Sequence, residues 1–221
     1  MGGERIALIT VIVAALGASA ACASPPEAVI GARAPEPVAP KGAVETYELS
    51  AAMVSVETDV RAGSAYTIKF PRSTGRLELS PDVPEASSFD IQIDATSAEA
   101  SWQVVADIAR DQFLHVGQFP EARFTSRSLR KGEEGNFVFY GTLVLHGTSQ
   151  SLSAPMTLQI EPCRVQGFVE FSIDRRSFGV ISDGGLDGVV SDTVVVRIGL
   201  DVPRKKDGKV DPACAKAPPK G

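Results

Sequence analysis

Apolar and polar residues alternate one for one through much of the chain. Val54, Val56, Thr58 and Val60 oppose Ser55, Glu57, Asp59 and Arg61. Tyr66, Ile68 and Phe70 oppose Thr67 and Lys69, and Phe89, Ile91, Ile93 and Ala95 oppose Asp90, Gln92 and Asp94. The same period returns over Leu152–Ile160, Val165–Ile173 and Val194–Val202. A period of two with one wet face predicts antiparallel sheet. Turn signals punctuate it at Arg61-Ala-Gly63, Pro71-Arg-Ser-Thr-Gly75, Pro81-Asp-Val-Pro84, Lys131–Gly135 and Asp183-Gly-Gly185. Regular short strands separated in this way predict a sandwich or a barrel.

One stretch breaks the period. Between about Ser101 and Phe113, Trp102, Val105, Ile108 and Ala109 fall on one helical face, with Gln103, Asp107 and Arg110 outside it. Pro120 stops whatever precedes it. Beyond it, Phe124, Ser126 and Ser128 share one strand face. After the turn, Phe137, Phe139, Gly141, Leu143 and Leu145 share another. The pattern is a helix feeding a β-hairpin.

The amino terminus reads differently. The 11-residue apolar run Ile6–Leu16 follows Arg5 and leads into Gly17-Ala-Ser-Ala-Ala-Cys22. That is the layout of a secretory signal, and it is short for a membrane span. A buried helix is the alternative. Cleavage after Ala20 and cleavage before a lipidated Cys22 both fit the exit, although bacterial lipoprotein signals usually carry Leu where this chain has Ser19. Ala23–Ala43 holds Pro25, Pro26, Pro35, Pro37 and Pro40, the composition of an extended spacer. With Cys22 acylated, Cys163 and Cys214 are left to pair in an oxidising compartment, two free thiols being the alternative. The expected division is a signal peptide (1–21), a Pro/Ala-rich linker (22–45), a β-barrel (46–203) and a tail (204–221).

The chain has 221 residues, 43% of them hydrophobic, with a net charge of −5. That suffices for one sizeable core, and the absence of a basic block argues against nucleic acid as a partner. His115 and His146 are the chain's two histidines, and neither has metal-ligand spacing. Ser149 and Ser151 lack the context of an activated nucleophile. An enzyme is not expected, nor is a cofactor.

Three segments carry a family resemblance: Val116-Gly-Gln-Phe-Pro-Glu-Ala-Arg-Phe124, Gly141-Thr-Leu-Val-Leu-His-Gly147 and Arg175-Arg-Ser-Phe-Gly179. They resemble the signature segments of the YceI-like family, and the likeness runs from about Tyr47 to Val202. It implies an all-β fold, an antiparallel lipocalin-like barrel of about eight strands with one short helix capping an end. It also implies a periplasmic location and binding of polyisoprenoid lipids such as quinone tails. On that reading the candidate lining is Phe113, Phe119, Phe124, Phe139, Leu143, Met156, Leu158, Val169 and Phe171. Gly141 would leave room where its strand passes the cavity, and Ser126, Ser128 and Gly167 would add to that room. Arg175 would meet a carboxylate on a neighbouring strand or a ligand head group, the carboxylate being favoured. The chain departs from the family at Ser177, where Asp is usual. It departs again at Ala52 and Met53, in place of a His-Ser pair, and at Val104–Asp107, in place of Arg-Asp-x-His. These departures leave the head group open. The expected partners are an apolar lipid and, through Cys22, a membrane. The alternative is a packed structural or interaction module of the cell envelope without a ligand.

Overall fold

The structure, a computed structural model, describes residues 25–51, 53–132, 135–206, 209–210 and 214. The expected signal peptide and Cys22 lie outside the described residues. The strands are β1 (Val29–Ile30), β2 (Glu45–Leu49), β3 (Val54–Ala62), β4 (Ser64–Lys69), β5 (Thr74–Leu79), β6 (Ser88–Asp94) and β7 (Glu99–Ala100). They continue with β8 (Glu121–Lys131), β9 (Phe137–Leu145), β10 (Thr148–Ile160), β11 (Arg164–Asp174) and β12 (Thr193–Pro203). A short ribbon, β13 (Lys205–Lys206) with β14 (Lys209–Val210), follows. Helix α1 (Gln103–Ile108) widens into a π-turn over Ala109–Phe113.

Among the described residues twelve strands form one curled antiparallel sheet, ordered β2-β5-β6-β8-β9-β10-β11-β12-β3-β4-β7, with β1 beside β10. Without the two-residue strands β1 and β7 and the edge strand β2 the curl has nine strands, close to the expected eight. The alternation read in the sequence is the cause of the curl's inside. Val54, Val56 and Ile68, then Val194, Ile198, Leu200 and Val202, are all buried in one core.

The core is packed at one end and open at the other. Phe89, Phe124, Phe139 and Phe171 meet in the middle, with Phe124 5.0 Å from Phe139, 5.4 Å from Phe89 and 5.9 Å from Phe171, centroid to centroid. Tilted and edge-to-face pairs at such distances are the favourable ones. Gly167 is not spare room: a Cβ there would lie 3.2 Å from Met156 Cε and 3.6 Å from Leu200. Ser126 and Ser128 are not spare room either. They bracket a bulge in β8, after which Leu129 rather than Ser128 sits level with Phe139.

Part of the expected linker belongs to the sheet. The β10–β11 ladder runs from Ile160↔Val165 to Met156↔Val169 and stops where Pro155, with no N–H to give, comes next. The strands then part, and residues 26–31 fill the gap. Ser172 N–H donates to the Pro26 carbonyl at 2.9 Å and Ala28 N–H donates to Ser172 O at 2.9 Å. Val29 and Ile30 pair with Ser153 and Leu152, and Ala28 is buried in the core.

Candidate functional site

The open end holds a cavity of about 310 Å³. Its walls are Val56 and Val60 on β3, Tyr66 and Ile68 on β4, Leu143 and Leu145 on β9, and Val194, Val196 and Ile198 on β12. Val105, Ile108, Ala109 and Phe113, from α1 and its π-turn, form the roof. Val180, Leu186, Val189 and Val190, from the loop between β11 and β12, form the lip. The helix therefore lies over the mouth, as the sequence suggested. Its first residue does not follow the expected face. Trp102 precedes the helix in extended backbone (φ −121°, ψ 121°) and is exposed, because the regular helix begins only at Gln103.

Among the described residues the polar groups that border the wall, the Tyr66 hydroxyl apart, are engaged elsewhere. The Thr58 hydroxyl donates to Val195 O at 2.9 Å. Glu57, at the cavity edge, alternates outward to pair with Lys69 at 3.3 Å. Arg175 is 2% exposed, and every donor it has is taken. Nε donates to Ser191 O (3.0 Å), Nη1 to Val180 O (2.6 Å) and Asp187 Oδ1 (2.8 Å), and Nη2 to Val190 O (3.2 Å) and Asp192 Oδ1 (3.0 Å). Its guanidinium carbon lies 5.2 Å from the Phe113 ring centre. Arg175 thus folds the loop 175–192 around itself. Its carboxylate partners come from that loop rather than from a neighbouring strand. The Ser182 N–H donating to Asp187, with Arg175 beside it, holds that carboxyl below the usual carboxylate range. The rest of the segment is explained with it: Phe178 is wholly buried, and Gly179 takes a left-handed turn (φ 73°).

The candidate lining residues separate into groups. Phe113 and Leu143 lie on the cavity wall. Phe124, Phe139 and Phe171 are fully buried in the aromatic cluster, with Met156 and Val169 packed in the same core and Leu158 against its edge. Phe119 packs at a tilt against His146, centroids 4.2 Å apart, and is not among the cavity-lining residues. Gly141 does not face open space. A Cβ there would sit 1.9 Å from Thr125 O, so its bareness allows the β8 backbone to come close at the bulge. Cys163 and Cys214 form a disulfide with Cα atoms 5.1 Å apart.

One cluster at the mouth had no signal in the sequence. His115 Nδ1 and His146 Nε2 are 2.8 Å apart, and both residues have positive φ (46° and 51°). Asp183 Oδ2 lies 2.9 Å from His115 Nε2, without the alignment of a hydrogen bond. Burial, and then the neighbouring His115, push the His146 imidazole below its ordinary value. The pair ties the segment after the π-turn to the β9–β10 turn. The backbone bond from Asp183 N–H to Gln112 O (3.3 Å) ties it to the loop.

A curled antiparallel sheet with an apolar hollow at one end and a helix across it is a lipocalin-like barrel. The YceI-like domain model matches residues 47–202, and the chain belongs to that family. Among solved structures, BcnA of Burkholderia cenocepacia is similar over 70% of this chain and 99% of its own, at 17% identity and TM-score 0.64. A polyisoprenoid-binding domain from Saccharophagus degradans covers 72% of this chain and 98% of its own, at 16% identity and TM-score 0.56. The YceI protein of Campylobacter jejuni covers 63% and 85%, at 17% and 0.56. No curated protein sequence matches the chain.

Proposed function

We propose that the protein binds the hydrocarbon part of an isoprenoid-like lipid in the cavity beneath α1 and carries or stores it in the cell envelope. The observation that supports this best is a roomy hollow whose wall is almost wholly apolar and whose bordering polar groups, the Tyr66 hydroxyl apart, are engaged elsewhere. Burial of each CH₂ is worth about 0.8 kcal/mol, so such a wall favours a chain over a polar metabolite. The likeness to a polyisoprenoid-binding domain agrees with it. The reading is of a binding protein rather than an enzyme: neither histidine of the pair lines the cavity. Secretion, with a lipid anchor at Cys22, completes it. The packed half of the barrel fits the alternative of a ligand-free module; the hollow half does not.

The test is native extraction. Protein purified without detergent from a Gram-negative host should yield a stoichiometric isoprenoid by mass spectrometry, or gain several degrees in unfolding midpoint with added farnesol. No bound lipid and no rise across a panel of isoprenoids overturns the reading.

A further inference from the structure

The cavity stops at one depth on strand after strand. Ile93 on β6, Ala122 on β8, Ile173 on β11 and Ile198 on β12 line it. The next inward-facing residue toward the packed end does not. Those residues are Ile91, Phe124, Phe171 and Leu200 in the same order, none more than 7% exposed. The floor is closed across the middle as well. Strands β8 and β11 are not neighbours in the sheet, yet the Phe124 and Phe171 rings stack across the interior with centroids 5.9 Å apart. Phe139 meets both, at 5.0 Å from Phe124 and 6.0 Å from Phe171. All three rings are 0% exposed, so nothing the size of a water molecule reaches them from the cavity. Rings packed in this way leave no passage for a methylene chain.

The volume then sets a length. An apolar cavity of about 150 Å³ holds one benzene ring of six carbons. At that rate the cavity of about 310 Å³ holds about twelve carbons, between two and three isoprene units.

We propose that the aromatic floor makes the cavity a ruler for the hydrocarbon chain. It takes a chain of two to three isoprene units almost whole, and only the terminal units of a longer one, whose remainder stays outside the mouth. This rests on the lipid-binding reading and adds the chain length that the site selects. Each carbon buried gains about fourfold in Kd, and each carbon left in water gains nothing. Affinity should therefore climb with length and then level off.

The test is a length series. Geraniol, farnesol and geranylgeraniol, with two, three and four isoprene units, are delivered from cyclodextrin and compete with a fluorescent isoprenoid for protein expressed from the full chain. Farnesol should bind about tenfold tighter than geraniol, and geranylgeraniol within about threefold of farnesol. Without a floor each added unit would gain several hundredfold, by roughly fourfold per carbon. Two variants move the floor. Val56 is level with Ile198 at the deep end of the cavity, and Val56→Phe adds about four carbons there. Farnesol should then bind no better than geraniol. Phe171→Leu removes about three carbons from the floor and should widen the advantage of farnesol over geraniol by a further tenfold or more. Both are read as ratios between ligands on the same protein, so a loss of stability common to the ligands cancels. A gain of about a hundredfold or more from farnesol to geranylgeraniol overturns the ruler and leaves the lipid-binding reading standing. Ratios that neither variant changes also overturn it, because the limit would then lie in the ligands and not in the floor. If neither the probe nor any member of the series binds, the lipid-binding reading fails and the ruler with it.

Discussion

Val196→Phe separates a hollow from a packed interior. Val196 faces inward from β12, level with Thr58 on β3, and lies on the cavity wall. Phenylalanine carries about four more side-chain carbons than valine. In a close-packed interior such an enlargement costs about 1–3 kcal/mol of stability. Here about 310 Å³ is vacant beside it, so the ring should fit and the unfolding midpoint should move little. The same ring displaces about four carbons of ligand, which at about 0.8 kcal/mol each is about 3 kcal/mol, on the order of a hundredfold in Kd. Ala154→Phe is the counterpart. Ala154 is buried opposite Phe139 beside the aromatic cluster, so the new ring should bring the overpacking penalty with little loss of affinity in what remains folded. Thermal unfolding and titration with a fluorescent isoprenoid measure both quantities. If Val196→Phe is as destabilising as Ala154→Phe, or binds the probe as wild type does, the cavity is not the binding site.

Three further outcomes are expected. Arg175→Met keeps bulk but strands the Asp187 carboxylate and three carbonyls, and should cost about 3–5 kcal/mol in urea unfolding; a loss below about 1 kcal/mol would mean that the loop holds without it. Gly141→Ala should destabilise by about 2 kcal/mol, because its Cβ meets the Thr125 carbonyl rather than empty space, and an unchanged midpoint would contradict that packing. His146 has a depressed folded pKa, so the unfolded chain binds the proton more readily. Its contribution is complete above about pH 6.5 and is lost as pH falls toward the lowered folded value. His146→Asn, which tolerates positive φ, should flatten that fall in the midpoint between about pH 7 and 5, and an identical slope in the variant would assign it to other groups.

The faces of the strands could be read in the sequence because period two is local. Which end of the barrel is hollow could not. Phe124 and Phe139 look no different in the pattern from Leu143 and Val196. They part company only in three dimensions, where the curl of the sheet brings Phe124 edge-on to Phe139 and sets β3, β9 and β12 around the mouth. The helix was visible as a lid, but the late start of its regular turns put Trp102 outside. The histidine pair left no trace at all, since residues 115 and 146 meet only after two separate left-handed turns. Gly141 was legible as a place with no side chain, and the reason for it, a close backbone approach, needed the bulge in β8.

The segment 26–31 has a consequence for how the molecule assembles. Its slot lies between β10 and β11, strands that are synthesised long after it. A chain growing from its amino terminus makes this piece among the first and cannot fix it until Ser172 exists. The pairing is about as non-local as this topology allows, which belongs to slow closure. The seam between β10 and β11 is therefore closed by residues made long before either strand. Until they insert, the seam beside Pro155 is a pair of open strand edges, and a chain that lacks Glu27–Ile30 would keep that seam for good.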